Sequence, residues 1–230
     1  RHWFAFLWDD EDAELDFGVA RFEIEIAVRL LPAIERQPDA INADRASRNG
    51  FSRDVFLPPV SVIIASKNES ENLARFLPAI LDQDYPDFEV IVVNMGSTDE
   101  TDMVLKTLSL KYSHLYYTYV PAEAEDVNMK KLALTIGIKA ANHDLLLFTE
   151  AYCEPASDRW IREFAAEFVK GNEIVLGFCK LKMAKHIAMR KFILYDNMIQ
   201  GLKYLSLAIL GKPFMGIGRN LAYKKEIFFE

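Results

Sequence analysis

From Pro58 onward, short apolar runs rich in β-branched residues alternate with longer stretches whose apolar positions recur at helical spacing, and few folds accommodate that order. Residues 60–65, VSVIIA, form a nearly unbroken apolar run of strand length, the pattern of a strand covered on both faces. Leu73, Phe76, Leu77, Ile80 and Leu81 then recur at i, i+3, i+4, i+7 and i+8, one face of a helix. A second strand is expected over 88–93, followed by a helix whose core face holds Val104, Leu105 and Leu108. The alternation continues with a strand over 115–120, a helix over 130–141 with Leu132, Ile136 and Ala140 on one stripe, and a strand over 145–148. A helix over 157–169, a fifth strand over 174–179 and a long apolar helix over 187–210 follow. Asn68 with Glu71, and Ser97 with Glu100, have capping-box spacing for the first two helices. The order predicts an α/β fold, a mostly parallel sheet with helices on both faces, occupying residues 57–230.

Residues 1–56 read as a helical leader and linker, with a helix over 19–34 and a polar linker over 37–53 containing Pro38, Asn42, Asn49 and Gly50. The apolar stretch in the leader is interrupted by Arg21, Glu23, Glu25 and Arg29, each costing about 2 to 3.5 kcal/mol at a bilayer centre, so it is not a membrane span. A net charge of -7 and a pI near 5.3 leave no clustered basic face, which argues against nucleic acid as a partner. Cys153 and Cys179 make neither a disulfide framework nor a zinc site, and they suit a reducing compartment. His2, His114, His143 and His186 are scattered without a carboxylate or thiol at ligand spacing. No GxGxxG loop follows any strand, which counts against a dinucleotide-dependent oxidoreductase.

In an open parallel sheet, ligands bind beyond the carboxyl ends of the strands, where free amides and helix N-termini converge. Four loops therefore matter: 66–69, 94–99, the approach to Lys130 and Lys131, and 149–154. Their neighbourhoods read PPVSVIIASKNESENL, DQDYPDFEVIVVNMGSTDET, KKLALTIGIKAANHDLLLFTEAYCEP and GKPFMGIGRNLAYKK, in that order. From about Pro58 to the end, the chain strongly resembles the family 2 glycosyltransferases, inverting transferases of the GT-A fold whose bacterial members are often membrane-tethered.

The resemblance implies that Ala65, Ser66, Asn68 and Glu69 contact the nucleotide's base and ribose; the alternative is that Asn68 caps a helix and Glu69 is a first-turn acid favoured by the helix dipole. Where the family has an acidic pair that reads the base, this chain has Asn94 and Met95; asparagine can hydrogen-bond a base, whereas a thioether is no partner for an imide N–H. Lys130 and Lys131 resemble the basic position that meets the diphosphate, with Lys131 carried over as the donor contact; the alternative is a solvated lysine pair. Arg219 either approaches donor or acceptor, or makes a structural ion pair. The family's metal signature is two carboxylates separated by one residue, and here the triplet is Glu150, Ala151, Tyr152. Glu150 is the implied ligand of a divalent cation, magnesium or manganese, held weakly because a neutral phenol is a poor second ligand.

The implied donor is a nucleoside-diphosphate sugar, with a UDP-sugar favoured, and the implied acceptor is a glycan or lipid-linked hydroxyl of a cell-envelope polysaccharide. The general base is expected beyond Glu230, so the domain reads as C-terminally truncated. Met95 and Tyr152 favour a second reading, a degenerate member serving as a nucleotide-sugar-binding or scaffold module. The expected location is the cytoplasm or the cytoplasmic face of the membrane. Residues 192–217, apolar but carrying Asp196, Lys203, Lys212 and Pro213, suit a helix packed on the domain or lying at a membrane surface better than a span.

Overall fold

The computed structural model describes residues 20–29, 57–121, 128–184 and 189–229. The expected linker over 37–53, together with His2, His186 and Glu230, lies outside the described residues. The elements in chain order are β1 (Ala20–Arg29), β2 (Val60–Ser66), α1 (Ser70–Leu81), β3 (Phe88–Asn94), α2 (Thr101–Lys111), β4 (Leu115–Tyr119), α3 (Met129–Ala140), β5 (Leu145–Glu150) and β6 (Cys153–Pro155). They continue with α4 (Trp160–Val169), β7 (Ile174–Met183), α5 (Arg190–Ile209), a 3-10 turn (Gly218–Asn220), β8 (Leu221–Lys224) and α6 (Lys225–Phe229). The strands form one sheet in the order β4-β3-β2-β5-β8-β7-β1-β6. β4, β3, β2 and β5 run parallel. β8 is antiparallel to β5 and β7, β1 is antiparallel to β7, and β6 lies parallel to β1 at the edge.

The expected α/β sheet is present, with two corrections. The helix expected from residue 19 is a strand over Ala20–Arg29. Phe22, Ile24, Ile26 and Val28 alternate with Arg21, Glu23, Glu25 and Ala27, a period of two that outweighs the segment's general apolarity. The second correction concerns α3, whose fully buried side is Ala133, Leu134, Gly137 and Ile138; Leu132 and Ile136 of the expected stripe pack partly buried against the same core, and Ala140 is exposed. Small residues set this phase: a Cβ on Gly137 would stand 2.6 Å from Ile63 Cγ2, so the helix backbone lies directly against β2.

The two faces of β2 feed two cores. Val60, Val62 and Ile64 pack with Leu73 and Leu77 of α1, Leu105 of α2 and Phe164 of α4. Ile63 and Ala65 pack with Ala133 and Ile138 of α3 and Tyr204 of α5. Burying each large side chain of the α1 stripe contributes about 1.5–3 kcal/mol, which outweighs the modest propensity of a twelve-residue helix. α5 buries only Gly201, Tyr204 and Ala208, leaving Phe192, Tyr195, Met198 and Leu202 exposed. No helix among the described residues is long and apolar enough to cross a membrane.

Glu89, 4% exposed, ties the lower ends of three elements together. Its carboxylate accepts from Ser61 Oγ at 2.6 Å, from the Asn142 amide at 2.6 Å and from Asn142 Nδ2 at 2.8 Å. A hollow of about 400 Å³ lined by Pro58, Pro59, Asp144, Leu145, Lys224, Lys225 and Glu226 lies at this same end of the sheet, where β2 and β5 begin. The opposite end carries the chemistry.

Candidate functional site

Register sets the site. Ser66 pairs with Asn94, while Ala65 pairs with both Val93 and Glu150, so β2, β3 and β5 end nearly level. The loops beyond β2 and β3 are laced together by side chains. The amides of Asn68, Glu69 and Ser70 donate to Ser97 Oγ (2.9 Å), Thr101 Oγ1 (3.2 Å) and Asp99 Oδ2 (3.0 Å). In return, Asn68 Oδ1 accepts from the Thr98 amide at 2.8 Å, and Asp99 Oδ1 accepts from the Thr101 amide at 3.1 Å. Burial alone would raise the Asp99 carboxyl, but hydrogen bonds from Thr101 and Ser70 prevail and hold it down at about 2.

This lacing replaces both expected capping boxes. α1 starts after Glu69 and α2 after Glu100, and neither residue's side chain makes a capping hydrogen bond. Asn68 takes a left-handed backbone, φ 55°, which asparagine tolerates and alanine does not. Asn68→Ala is therefore expected to lower stability by about 1–2 kcal/mol through strain plus the lost Thr98 bond, and Asn68→Gly by less. Urea unfolding midpoints check this; wild-type midpoints in both variants would refute it.

The second half of the site gathers around Glu150. Its side chain is 13% exposed and pairs with Lys130 Nζ at 2.8 Å, while the lysine itself is 47% exposed. An ion pair with a half-exposed ammonium is worth under about 1 kcal/mol, so the lysine can turn to a bound anion at little cost. α3 supplies this lysine because Asn128 caps the helix, its side chain accepting from the Lys131 amide at 2.8 Å.

Burial first, and then the Glu150 charge, push the Tyr152 phenol well above its ordinary value, while Arg219 opposes them. Burial works against the Arg219 cation, but Tyr152, Cys179, Cys153 and Glu150 around it raise its pKa overall. Because the phenol and thiols are neutral near pH 7, Glu150 is the one full negative charge in that set. Cys153 and Cys179 are buried free thiols beneath the cluster, and burial lifts Cys179 to about 12, so neither is a nucleophile. Glu69 completes the group: burial raises its carboxyl, Asn72 Nδ2 at 2.6 Å lowers it, and Glu150 and Asp99 raise it.

The structure thus brings together Glu69, Glu150, Tyr152 and Arg219, with Ala65 beside Glu150 in register and Ser66 one residue on. Ser66 Oγ is buried without a hydrogen-bond partner. Asn94 and Met95 stand beside Ser66 at the same strand tips, with Asn94 paired to Ser66 and the Met95 amide donating to the Ser66 carbonyl at 2.8 Å. Asn94 is buried, and its Oδ1 is taken by the Ser97 amide at 2.9 Å. Met95 packs against the core cluster of Ile63 and Ala65. Lys131 is exposed, and the lysine that reaches Glu150 is Lys130, whose neighbour the sequence favoured. Asp99, Ser97 and Thr101 were missed as organising residues, although the polar run STDET was a turn signal.

The donor set does not fit a divalent-cation centre. Glu150 is the one hard anionic ligand it offers, the next candidate ligand is a neutral phenol, and the Arg219 guanidinium within electrostatic reach works against a second cation. Among the described residues, no group of three or more histidines, cysteines or carboxylates could hold a metal.

Comparison with known proteins agrees with this fold. The chain is 29% identical over 174 residues to the dolichyl N-acetyl-alpha-D-glucosaminyl phosphate 3-beta-D-2,3-diacetamido-2,3-dideoxy-beta-D-glucuronosyltransferase of Methanococcus voltae, covering 74% of this chain and 49% of that protein. It is 33% identical over 107 residues to glycosyltransferase AglE of Haloferax volcanii, covering 46% of this chain and 34% of that one. The chain therefore spans about half the length, or less, of these curated relatives. Among solved structures, the mannosyltransferase PcManGT from Pyrobaculum calidifontis, in complex with GDP-Man and Mn2+, shares the fold with a TM-score of 0.52 at 20% identity, over 83% of this chain and 53% of that one. Residues 61–229, which run from β2 through α6 and include every residue of the cluster around Glu150, match the family described as Glycosyl transferase family 2, and the chain belongs to that family.

Proposed function

We propose that this chain forms the donor-binding part of a glycosyltransferase that moves a sugar from a nucleoside diphosphate to an acceptor hydroxyl, with inversion at the anomeric carbon. The observation that supports it best is the meeting of Ala65, Ser66, Glu69, Glu150 and Arg219 at the carboxyl end of the parallel strands, where donors bind in such sheets. Ala65 and Glu150 are fixed by strand pairing, and Asn68 and Glu69 by the lacing to Ser97, Asp99 and Thr101. The site is therefore shaped before a ligand arrives, which lowers the ordering cost of binding. The relatives' names support a saccharide acceptor.

A binding-only module is the second reading, and Tyr152 in place of a carboxylate and Met95, an apolar side chain packed partly buried against the core, are the observations that favour it.

Calorimetric titration of the chain with UDP and with GDP tests the shared part of both readings. A dissociation constant of roughly micromolar to millimolar order is expected for at least one of them. Release of nucleoside diphosphate from UDP-glucose, UDP-N-acetylglucosamine or GDP-mannose separates the two: turnover supports transfer, and binding without turnover supports the module. Absence of binding to either diphosphate removes the functional assignment and leaves the fold.

A further inference from the structure

We infer that Lys130 and Arg219 neutralise the donor's diphosphate directly, so that nucleoside-diphosphate binding by this chain does not depend on a divalent cation. This rests on the donor-binding reading above and deepens it. The argument begins with what a departing nucleoside diphosphate needs, positive charge on its oxygens. A second hard anionic ligand would strengthen a metal site, and position 152 offers instead a phenol that burial and the Glu150 charge keep protonated, so a metal has one protein carboxylate to hold it. The loop amides after β2 are also spent, because those of Asn68, Glu69 and Ser70 already donate to Ser97, Thr101 and Asp99.

Two side-chain cations remain at the place where a metal would sit. Lys130 pairs with Glu150 from α3 at 2.8 Å, and Arg219, in the turn before β8, lies within electrostatic reach of the same carboxylate. An ammonium on a flexible stem is a point charge for one phosphate, and a guanidinium fork matches phosphate oxygens in pairs. Glu150 then acts as a positioning residue that holds Lys130 at the strand tips, and Glu69, bound to Asn72, lies within electrostatic reach of it. Lys130 is half-exposed and its pair with Glu150 is weak, so it is able to swing to a phosphate.

The test is titration of the chain with UDP and GDP, in EDTA and in manganese. Dissociation constants in the two conditions are expected to agree within about twofold, and Lys130→Met and Arg219→Met are each expected to weaken binding in EDTA by about tenfold to a hundredfold, the loss of a charge-assisted hydrogen bond. Lys131→Met serves as the control on the same exposed helix end and is expected to bind as wild type. Lys130 is exposed, so its variant is expected to keep the wild-type unfolding midpoint; Arg219→Lys, which keeps charge but loses the fork, covers the case in which Arg219→Met does not fold. Binding only with manganese, wild-type binding by Lys130→Met, or an equal loss in Lys131→Met would each overturn the inference while leaving the donor site in place. Absence of binding in both conditions overturns the functional reading itself, and this inference with it.

Discussion

Gly177→Ala is expected to lower stability by about 2–4 kcal/mol and to weaken nucleotide binding with it. A Cβ at Gly177 would stand 2.0 Å from Asn220 Nδ2. Asn220 cannot yield cheaply, because it is fully buried, accepts from Trp160 Nε1 at 3.0 Å and donates to the Phe178 carbonyl at 3.2 Å. The Gly177 strand is held from the other side as well, its carbonyl accepting from the Tyr204 hydroxyl at 3.0 Å. The added methyl must therefore displace the amide and leave a buried indole N–H unpaired. Asn220 is also the residue after Arg219, so the same displacement moves the guanidinium away from Glu150. Chemical unfolding and UDP titration on the same sample check both effects, and a wild-type unfolding midpoint would show that the strand and turn are not packed as described.

Removing the Glu89 carboxylate is expected to cost about 1–3 kcal/mol, because Glu89→Leu leaves the buried Ser61 hydroxyl without its acceptor and strips the exposed Asn142 of two hydrogen bonds that water then replaces. Burial pushes the Glu89 carboxyl up, but hydrogen bonds from Ser61 and Asn142, helped by His143, prevail and leave it below the ordinary value. A depressed folded-state pKa stabilises the fold fully above the unfolded value of about 4.3, and that contribution is lost as pH falls through the folded value. Asp99 adds to the same acid-side loss, with its folded value at about 2. Stability of the wild type is thus expected to fall between about pH 4 and pH 2, and Glu89→Gln is expected to flatten part of that slope. Denaturation midpoints measured across this range decide it, and parallel curves for wild type and Glu89→Gln would remove Glu89 from the account.

The inner half of the sheet was legible because its signals are local. The apolar run of β2 and the 3-4 spacing of α1 each dictate one structure within a dozen residues, whatever lies elsewhere. β6, only three residues long, and β8, only four, carry no such pattern and are strands because their neighbours supply the ladders. β1 was misread because charged residues break an apolar stretch at either period, and the period of two had to be counted. At the site, strand ends located Ala65, Ser66 and Glu150 correctly at the tips. The choice between Lys130 and Lys131 depended on helix phase, which the Asn128 cap sets and which one hundred degrees per residue makes decisive. The exchange between Asn68 and Thr98 joins residues thirty positions apart, and nothing in either short polar segment announces the other.

The place of β1 has a bearing on how the chain reaches its fold. Ile24 pairs with Cys179 and Phe22 with Cys153, so this segment waits for partners synthesised well over a hundred residues later. The inner parallel strands can assemble from neighbours in sequence, whereas the outer flank closes by a contact of high sequence separation, the slow kind. Until Ile174–Met183 leaves the ribosome, Ala20–Arg29 lacks the antiparallel partner it has in the described sheet, and its unpaired ladder is open to pairing with other chains.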